Sequence, residues 1–295
     1  MDWLTEFPQL AGRDLRLMSR TIDQYYRSFS RAYGDTIEAI FRPLLEFLLW
    51  FERLLIQTPW WIILLVIVGI VWLASRSKAI TVGTFVALIL IGVFGMWEDT
   101  MRTLSIIVVC TLMSIIIGMP IGIIMSRSNK VQAVINPILD VMQTMPSFVY
   151  LIPIVMLLGI GLIPGLLVVV IYAMPPIIRL TNLGIRLVDK EVLEAANAFG
   201  SSGWQKLTQV QLPLALPTIM AGINQTIMMA LAMVVVASLI GVRGLGQPVL
   251  QAITNQYFTQ GVLNGLAIVA IAIIFDRSSQ AYGKRLQRHR EAAHG

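Results

Sequence analysis

Long apolar runs alternate with short polar segments along most of the chain. Five runs without Asp, Glu, Lys or Arg are near the length of about 20 residues that crosses a bilayer as a helix. They are 59–75, 79–97, 103–125, 214–241 and 262–275. A sixth run, 141–178, would be about 57 Å long as one helix, and the Gly and Pro residues at 159–165 favour a turn within it. Two spans are predicted there, 141–160 and 163–178. The pattern predicts an all-α membrane protein with about seven transmembrane helices.

The composition agrees with a membrane protein and excludes other classes. Of the 295 residues, 57% are hydrophobic and only 13% are charged, whereas about a quarter are charged in a soluble domain. This excludes a conventional soluble enzyme and intrinsic disorder. The net charge is +6, but the basic residues punctuate apolar runs, so no nucleic-acid partner is expected. The single cysteine, Cys110, excludes a disulfide framework and a thiolate metal cluster.

Lys and Arg residues predict the orientation. Seven spans with a cytoplasmic C-terminal tail, 277–295, place 13 basic residues inside and only Arg102 and Arg243 in outside loops. The N-terminal tail, 1–58, is then periplasmic. Five arginines between Arg13 and Arg31 share one helical face, and 37–56 is amphipathic. We expect a helix lying at the membrane interface; a docking site for an outside partner is the alternative.

The inside loop 179–213 is longer than a connector needs to be and predicts two short helices. Helix-forming residues run through 189–199, Gly200 supplies a stop, and Ser201 or Ser202 can cap a second helix. Pro213 is expected to separate that second helix from the next span. The two helices would form a rigid cytoplasmic projection.

This loop resembles the signature of permease subunits in bacterial binding-protein-dependent ATP-binding-cassette importers. The signature is E-A-A, three residues, G, nine residues, an aliphatic residue, one residue, and L-P. It is present here as Glu194-Ala195-Ala196, Gly200, Val210 and Leu212-Pro213. Segments 142–153, 175–186, 217–226 and 241–247 are similar to permeases for glycine betaine and related quaternary amines, although Arg243 stands where glycine is expected. The resemblance covers about 100–275, which predicts a core domain over 98–276 and two peripheral helices over 59–97.

The resemblance implies a mechanism and a set of partners. Glu194, Ala195, Ala196, Gly200, Leu212 and Pro213 would couple the chain to a separate ATPase subunit, present in two copies. This chain lacks G-x-x-x-x-G-K-[ST], so it is expected not to be an enzyme and to carry no cofactor, with ATP and Mg²⁺ on the partner. A second copy of the chain, an extracytoplasmic binding protein and the bacterial inner membrane complete the expected assembly.

The spans contain no carboxylate, histidine, lysine or arginine, and this disfavours the alternative of an ion-coupled carrier. Ion-coupled carriers usually keep a carboxylate or histidine at membrane depth, and an intramembrane enzyme would need paired Asp or a Ser–His pair. A neutral lining suits a zwitterion such as betaine, and the resemblance implies glycine betaine, choline, proline betaine, carnitine or trimethylamine N-oxide as the solute. A permease of the same build for methionine or an alkyl sulfonate is the alternative.

Candidate pathway residues combine aromatic rings, which can cage quaternary ammonium groups, with prolines, which free backbone carbonyls. They are Met145, Pro146, Phe148, Tyr150, Tyr172, Met174, Pro175 and Asn224. Met145-Pro146 and Met174-Pro175-Pro176 are predicted to break helices near the inside ends of two spans. For Asn224 and its neighbour Gln225, interhelical hydrogen bonding is favoured over substrate contact.

Overall fold

The computed structural model describes residues 12–294, and the side chains of 12–285. All regular structure in this part of the chain is helical. The helices are α1 (Gly12–Gln57), α2 (Trp60–Ser75), α3 (Lys78–Val93), α4 (Trp97–Arg127), α5 (Asn129–Thr144), α6 (Leu151–Leu158), α7 (Leu162–Arg186), α8 (Lys190–Ala198), α9 (Gly203–Gln205), α10 (Leu212–Ala237), α11 (Gly246–Asn255) and α12 (Phe258–His294). The predicted all-α fold class is confirmed.

Helices α4, α7 and α10 form the centre of the fold, with α7 packed between the other two. Glycines allow this close approach. A Cβ atom at Gly122 of α4 would lie 2.7 Å from the carbonyl oxygen of Ile178, and one at Gly222 of α10 would lie 3.0 Å from Cβ of Leu180. Small residues at helix contacts are typical of membrane bundles, where packing rather than hydrophobic burial drives association.

The remaining long helices surround this centre. Helix α12 packs against α10, α11 and α2, and α2 pairs with α3. The Arg285 guanidinium donates a hydrogen bond of 2.9 Å to the carbonyl of Leu73, so the end of α2 lies beside the part of α12 near residue 285. Helix α1 packs on α4 and α6.

By length and composition, four helices could cross a membrane: Trp97–Arg127, Leu162–Arg186, Gly203–Ile240 and Phe258–Arg285. Two bent pairs raise this to six, α1 with α2 at 110° and α5 with α6 at 111°. Helix α3, at 16 residues, is shorter. The predicted count of seven is therefore not confirmed.

The predicted straight span over 141–160 is wrong. Helix α5 begins at Asn129, inside the expected loop, and ends at Thr144. Met145 is extended with ψ 133°, because proline at the next position disfavours the helical region for the residue before it. A 3₁₀ turn, Ser147–Tyr150, then leads into α6. The break predicted at Met145-Pro146 is confirmed.

The break predicted at Met174-Pro175-Pro176 is wrong. Helix α7 continues through both prolines to Arg186. Each proline removes an N–H donor, but both are buried and packing against α4 and α10 holds the helix together. The second predicted span, 163–178, lies within this longer helix.

The N-terminal helix α1 is longer than the amphipathic stretch 37–56 that was predicted. It spans 46 residues and includes Pro43 in its interior. Most of its side chains are exposed, but Leu48 is fully buried against the core. Residues 1–11 of the predicted tail lie outside the described residues. The division into a tail, two peripheral helices and a core remains a prediction.

Candidate functional site

Helix α8 begins and ends as the sequence predicts. The Asp189 carboxylate accepts from the backbone N–H of Glu191 at 2.9 Å and caps the first turn. Gly200, with φ +76°, ends the helix. The N–H of Ser201 donates to the carbonyl of Ala196 at 3.1 Å, and that of Gly200 to the carbonyl of Asn197 at 2.9 Å. These two bonds form a Schellman cap, which requires the left-handed conformation that glycine adopts without cost.

The second arm of the predicted projection begins at Ser202. Its hydroxyl accepts from the N–H of Gln205 at 3.3 Å, and the Gln205 side chain accepts from the N–H of Ser202 at 2.8 Å. This reciprocal capping box selects Ser202 over Ser201. The Lys206 ammonium donates to the Asn197 amide at 2.8 Å, which ties the second arm to α8. The turn is therefore held from both sides.

Pro213 does not separate the second arm from the next span. Helix α9 runs through a π-helical turn, Lys206–Gln211, directly into α10. The N–H of Leu212 donates to the carbonyl of Leu207, five residues back. The wider turn accommodates the proline ring, which would collide with the carbonyl four residues back in a regular α-helix. The projection is thus one short helix and the end of a long one.

The surface of this projection is open. No residue of α8 is buried, and Glu194, Ala195 and Gly200 are exposed while Ala196 is half-buried. Two aromatic side chains flank the turn, with Phe199 91% and Trp204 70% exposed. Exposed apolar side chains of this size, rimmed by polar residues, are typical of a protein interface. We call the residues 190–204 the coupling surface.

Leu212 and Pro213, the other two predicted coupling residues, lie apart from the coupling surface. Both are half-buried at the start of α10, where Leu212 packs against a buried cluster that includes Ile177, Ile185 and Ile219. Their place favours a role in fixing α10 against α7 over direct contact with a partner.

Arg186, at the end of α7, joins three helices. The Arg186 guanidinium donates to the Asn182 amide at 3.0 Å, the Asn129 amide at 2.7 Å and the Met125 carbonyl at 2.9 Å. These contacts join α7, α5 and α4. Planar multidentate recognition is the property that distinguishes arginine from lysine. No sequence spacing signals such a clamp.

The predicted pathway residues do not form one cluster. Tyr150 and Tyr172 pack edge to face, with ring centroids 5.6 Å apart at 84°, and the Tyr150 hydroxyl donates to the carbonyl of Met142. Phe148 is exposed. Met174 packs against two buried clusters, and Pro175 is buried within α7. The structure thus unites the two tyrosines near the break at Met145-Pro146.

Asn224 takes part in interhelical hydrogen bonds. Its amide nitrogen donates to the Asp276 carboxylate at 3.0 Å, and its oxygen accepts from the Ser279 hydroxyl. Asp276 follows the charge-free run 262–275 but lies within the same helix, α12, so that helix carries a carboxylate beyond the end of the predicted span. The adjacent Gln225 points away from this contact and is exposed.

Comparison with known families identifies the chain. Residues 114–288 match the family described as "Binding-protein-dependent transport system inner membrane component". The chain belongs to this family. The match spans α4 to α12 and includes the coupling surface, so the predicted class of importer permease is confirmed. The protein is a multi-pass membrane component of a transport system.

Relatives of this inner membrane component extend the match over most of the chain. It is 48% identical over 229 residues to the glycine betaine/carnitine transport permease protein GbuB of Listeria monocytogenes, covering 77% of this chain and 81% of the relative. It is 43% identical over 297 residues to the glycine betaine/proline betaine transport system permease protein ProW of Escherichia coli, covering 96% and 82%. An inward-facing structure of the MetNI methionine transporter shares the fold, with a TM-score of 0.57, 20% identity and coverage of 63% and 93%.

Proposed function

We propose that this inner membrane component imports a small quaternary-amine or zwitterionic solute of the glycine betaine class. The observation that carries the proposal is the 43% identity over 96% of the chain to a glycine betaine/proline betaine permease. Carnitine appears in the name of a second relative and trimethylamine N-oxide in that of a third, 37% identical over 229 residues. Only a similarity of fold, at 20% sequence identity, supports the methionine alternative.

The coupling surface is proposed to bind a separate ATPase subunit. Its exposed Phe199 and Trp204 supply apolar anchors of the kind that dominate protein interfaces, and Glu194 of α8 is also exposed. The capping bonds at Gly200 and Ser202 stiffen the turn, so that a movement of the partner reaches α10 rather than being lost in the loop. ATP and Mg²⁺ would bind the partner, and this chain would carry no cofactor and catalyse no reaction.

A second copy of the chain is proposed to complete the pathway, and Gln225 supports this. Among the described residues of 59–75, 79–93, 103–125, 163–178, 214–240 and 262–275, Gln225 is the one exposed Ser, Thr, Asn or Gln. It lies at the midpoint of α10, and an amide facing hydrocarbon at that depth would be costly. By contrast, the exposed residues of α12 over 262–273 are all apolar. Lipid therefore suits α12, and water or a second copy suits the face of α10 that carries Gln225.

The proposed pathway runs along this face of α10 and the neighbouring break between α5 and α6. Helix α10 contacts the 3₁₀ turn Ser147–Tyr150, and the exposed Phe148 and the paired Tyr150 lie on that turn. Aromatic rings recognise quaternary ammonium groups, so the turn is a reasonable place for transient contact with the solute. Selection with high affinity would be made by an extracytoplasmic binding protein at the bacterial inner membrane.

Reconstitution tests the proposed function. The chain is purified with its ATPase subunit, placed in proteoliposomes and supplied with the binding protein and ATP. We expect uptake of radiolabelled glycine betaine that requires both, with an ATPase subunit inactivated at its nucleotide site as the matched control and methionine as the competing solute. Uptake of methionine instead of betaine would overturn the solute class. Uptake driven by an ion gradient without ATP would overturn the coupling.

A further inference from the structure

Helix α6 is a short half-helix that buries Leu151 and Ile154 in the main core cluster. It spans eight residues between the break at Met145-Pro146 and Gly159, which has φ +77°. The last carbonyls of an α-helix lack intrahelical donors. In α6 the carbonyl of Val155 accepts from the N–H of Gly159 at 2.8 Å, which leaves those of Met156, Leu157 and Leu158. Its end therefore needs hydrogen-bond donors from elsewhere in the molecule.

Helix α1 supplies hydroxyl donors to α6 across more than 120 residues of sequence. The Ser30 hydroxyl donates to the carbonyl of Leu157 at 2.9 Å and lies 3.2 Å from that of Met156. One turn earlier, the Tyr26 hydroxyl donates to the carbonyl of Pro153. Partial burial raises the pKa of Tyr26 above its ordinary value.

The contact between α1 and α6 also depends on close backbone packing at a glycine. Gly34 lies one turn after Ser30, and a Cβ atom there would be 3.2 Å from the carbonyl oxygen of Leu157. Residues 26, 30 and 34 recur at intervals of four and so share one face of α1. Tyr26, Ser30 and Gly34 thus contact α6 from its first turn to its end. The first two donate hydrogen bonds from their hydroxyls, and the third lets the backbones approach because it has no side chain.

The other end of α1 is fixed to the bundle. Leu48 is fully buried in the main core cluster, and the Glu52 carboxylate lies 3.4 Å from the Arg102 guanidinium of α4. Because α1 is attached at residues 26–34 and again at 48–52, it bridges the end of α6 and the start of α4. It also packs on α7, against which α6 lies.

We propose that Tyr26 and Ser30 are positioning residues that hold α6, and with it the turn that carries Tyr150, against the bundle. Tyr150 directly precedes α6 and packs on Tyr172 of α7. If the hydrogen bonds between α1 and α6 are lost, the turn is no longer held in the position that packs Tyr150 on Tyr172. The importance of this positioning for transport rests on the proposed function; the mechanical attachment does not.

Hydrogen exchange tests the attachment directly in the purified full chain. The variant Tyr26→Phe/Ser30→Ala removes both donors and should speed amide exchange in 151–158 by about tenfold. The matched control is Tyr25→Phe/Ser28→Ala. Tyr25 is exposed, and the Ser28 hydroxyl donates to the carbonyl of Gln24 within α1. Equal exchange in 151–158 for the two variants would overturn the proposal.

Transport separates a positioning role from mere attachment. In the reconstituted importer, we expect the maximal uptake rate to fall several-fold for Tyr26→Phe/Ser30→Ala with an unchanged thermal midpoint, and Ser30→Thr, which keeps the hydroxyl, to behave as the parent. Faster exchange with unaltered uptake would overturn the positioning role. Failure of the unaltered protein to import any betaine would refute the proposed function, while the exchange measurement would still decide the attachment of α6.

Discussion

Replacing Gly200 by valine tests whether the turn of the coupling surface must keep one backbone conformation. Gly200 has φ +76°, a region that β-branched residues rarely occupy. A Cβ atom there would meet nothing within 4 Å. The substitution therefore acts on the backbone alone and removes no packing contact.

The expected magnitude follows from that conformation. The left-handed region costs a residue with a Cβ atom about 1–2 kcal/mol. This shifts the balance between the capped turn and other conformations by a factor of about 5–30. If the ATPase subunit engages only the capped turn, ATP-dependent uptake should fall by up to that factor, while binding of solute by the separate binding protein stays unchanged.

Gly203 offers the matched control for this assay. It follows Gly200 by three residues, a Cβ atom there also meets nothing within 4 Å, and its φ is not positive. Uptake and ATP hydrolysis are measured in proteoliposomes for Gly200→Val and Gly203→Val, with Gly200→Asn as an intermediate because asparagine tolerates the left-handed region better. Equal uptake by the two valine variants would refute the reasoning.

Three further predictions concern the interface, the bundle and the pathway. Phe199→Ser should reduce co-purification of the ATPase subunit, whereas Phe258→Ser, 82% exposed at the start of α12, should not; equal loss would contradict the proposed interface. A Cβ atom at Gly122 would lie 2.7 Å from a carbonyl oxygen of α7, so Gly122→Leu should lower the thermal midpoint through overpacking that costs about 1–3 kcal/mol. The control Gly83→Leu, at a position with nothing within 4 Å, should leave the midpoint unchanged. Gln225→Leu should fold normally but reduce uptake about fivefold, as expected for one lost hydrogen bond of about 1 kcal/mol; unchanged uptake would place this face in lipid.

Features determined by a few adjacent residues could be predicted from the sequence. The stop at Gly200, the cap near Ser202 and the break at Met145-Pro146 depend on local backbone preferences, and all three are present. The family signature is equally local, because its fixed positions fall within 20 residues at 194–213.

Features decided by tertiary contact could not be predicted in this way. Pro175 and Pro176 carry the same local signal as Pro146, yet α7 stays intact because α4 and α10 pack on both of its sides. The attachment of Ser30 to the carbonyls of Met156 and Leu157 involves backbone acceptors, which every residue has, so no pattern of side chains marks it. Helix α11, Gly246–Asn255, is not predicted either, because the glycines at 241–246 and Pro248 are typical of a turn.

The π-helical turn at 206–211 makes Gly203–Ile240 a single element of 38 residues. It packs closely on α7 at Thr218, which would lie 3.0 Å from a Cβ atom at Gly184. If the element rocks about that point, the arm towards the ATPase is about 22 Å long and the arm towards the outer surface about 33 Å. A displacement at the cytoplasmic tip would then emerge about one and a half times larger, and reversed in direction, at the outer mouth.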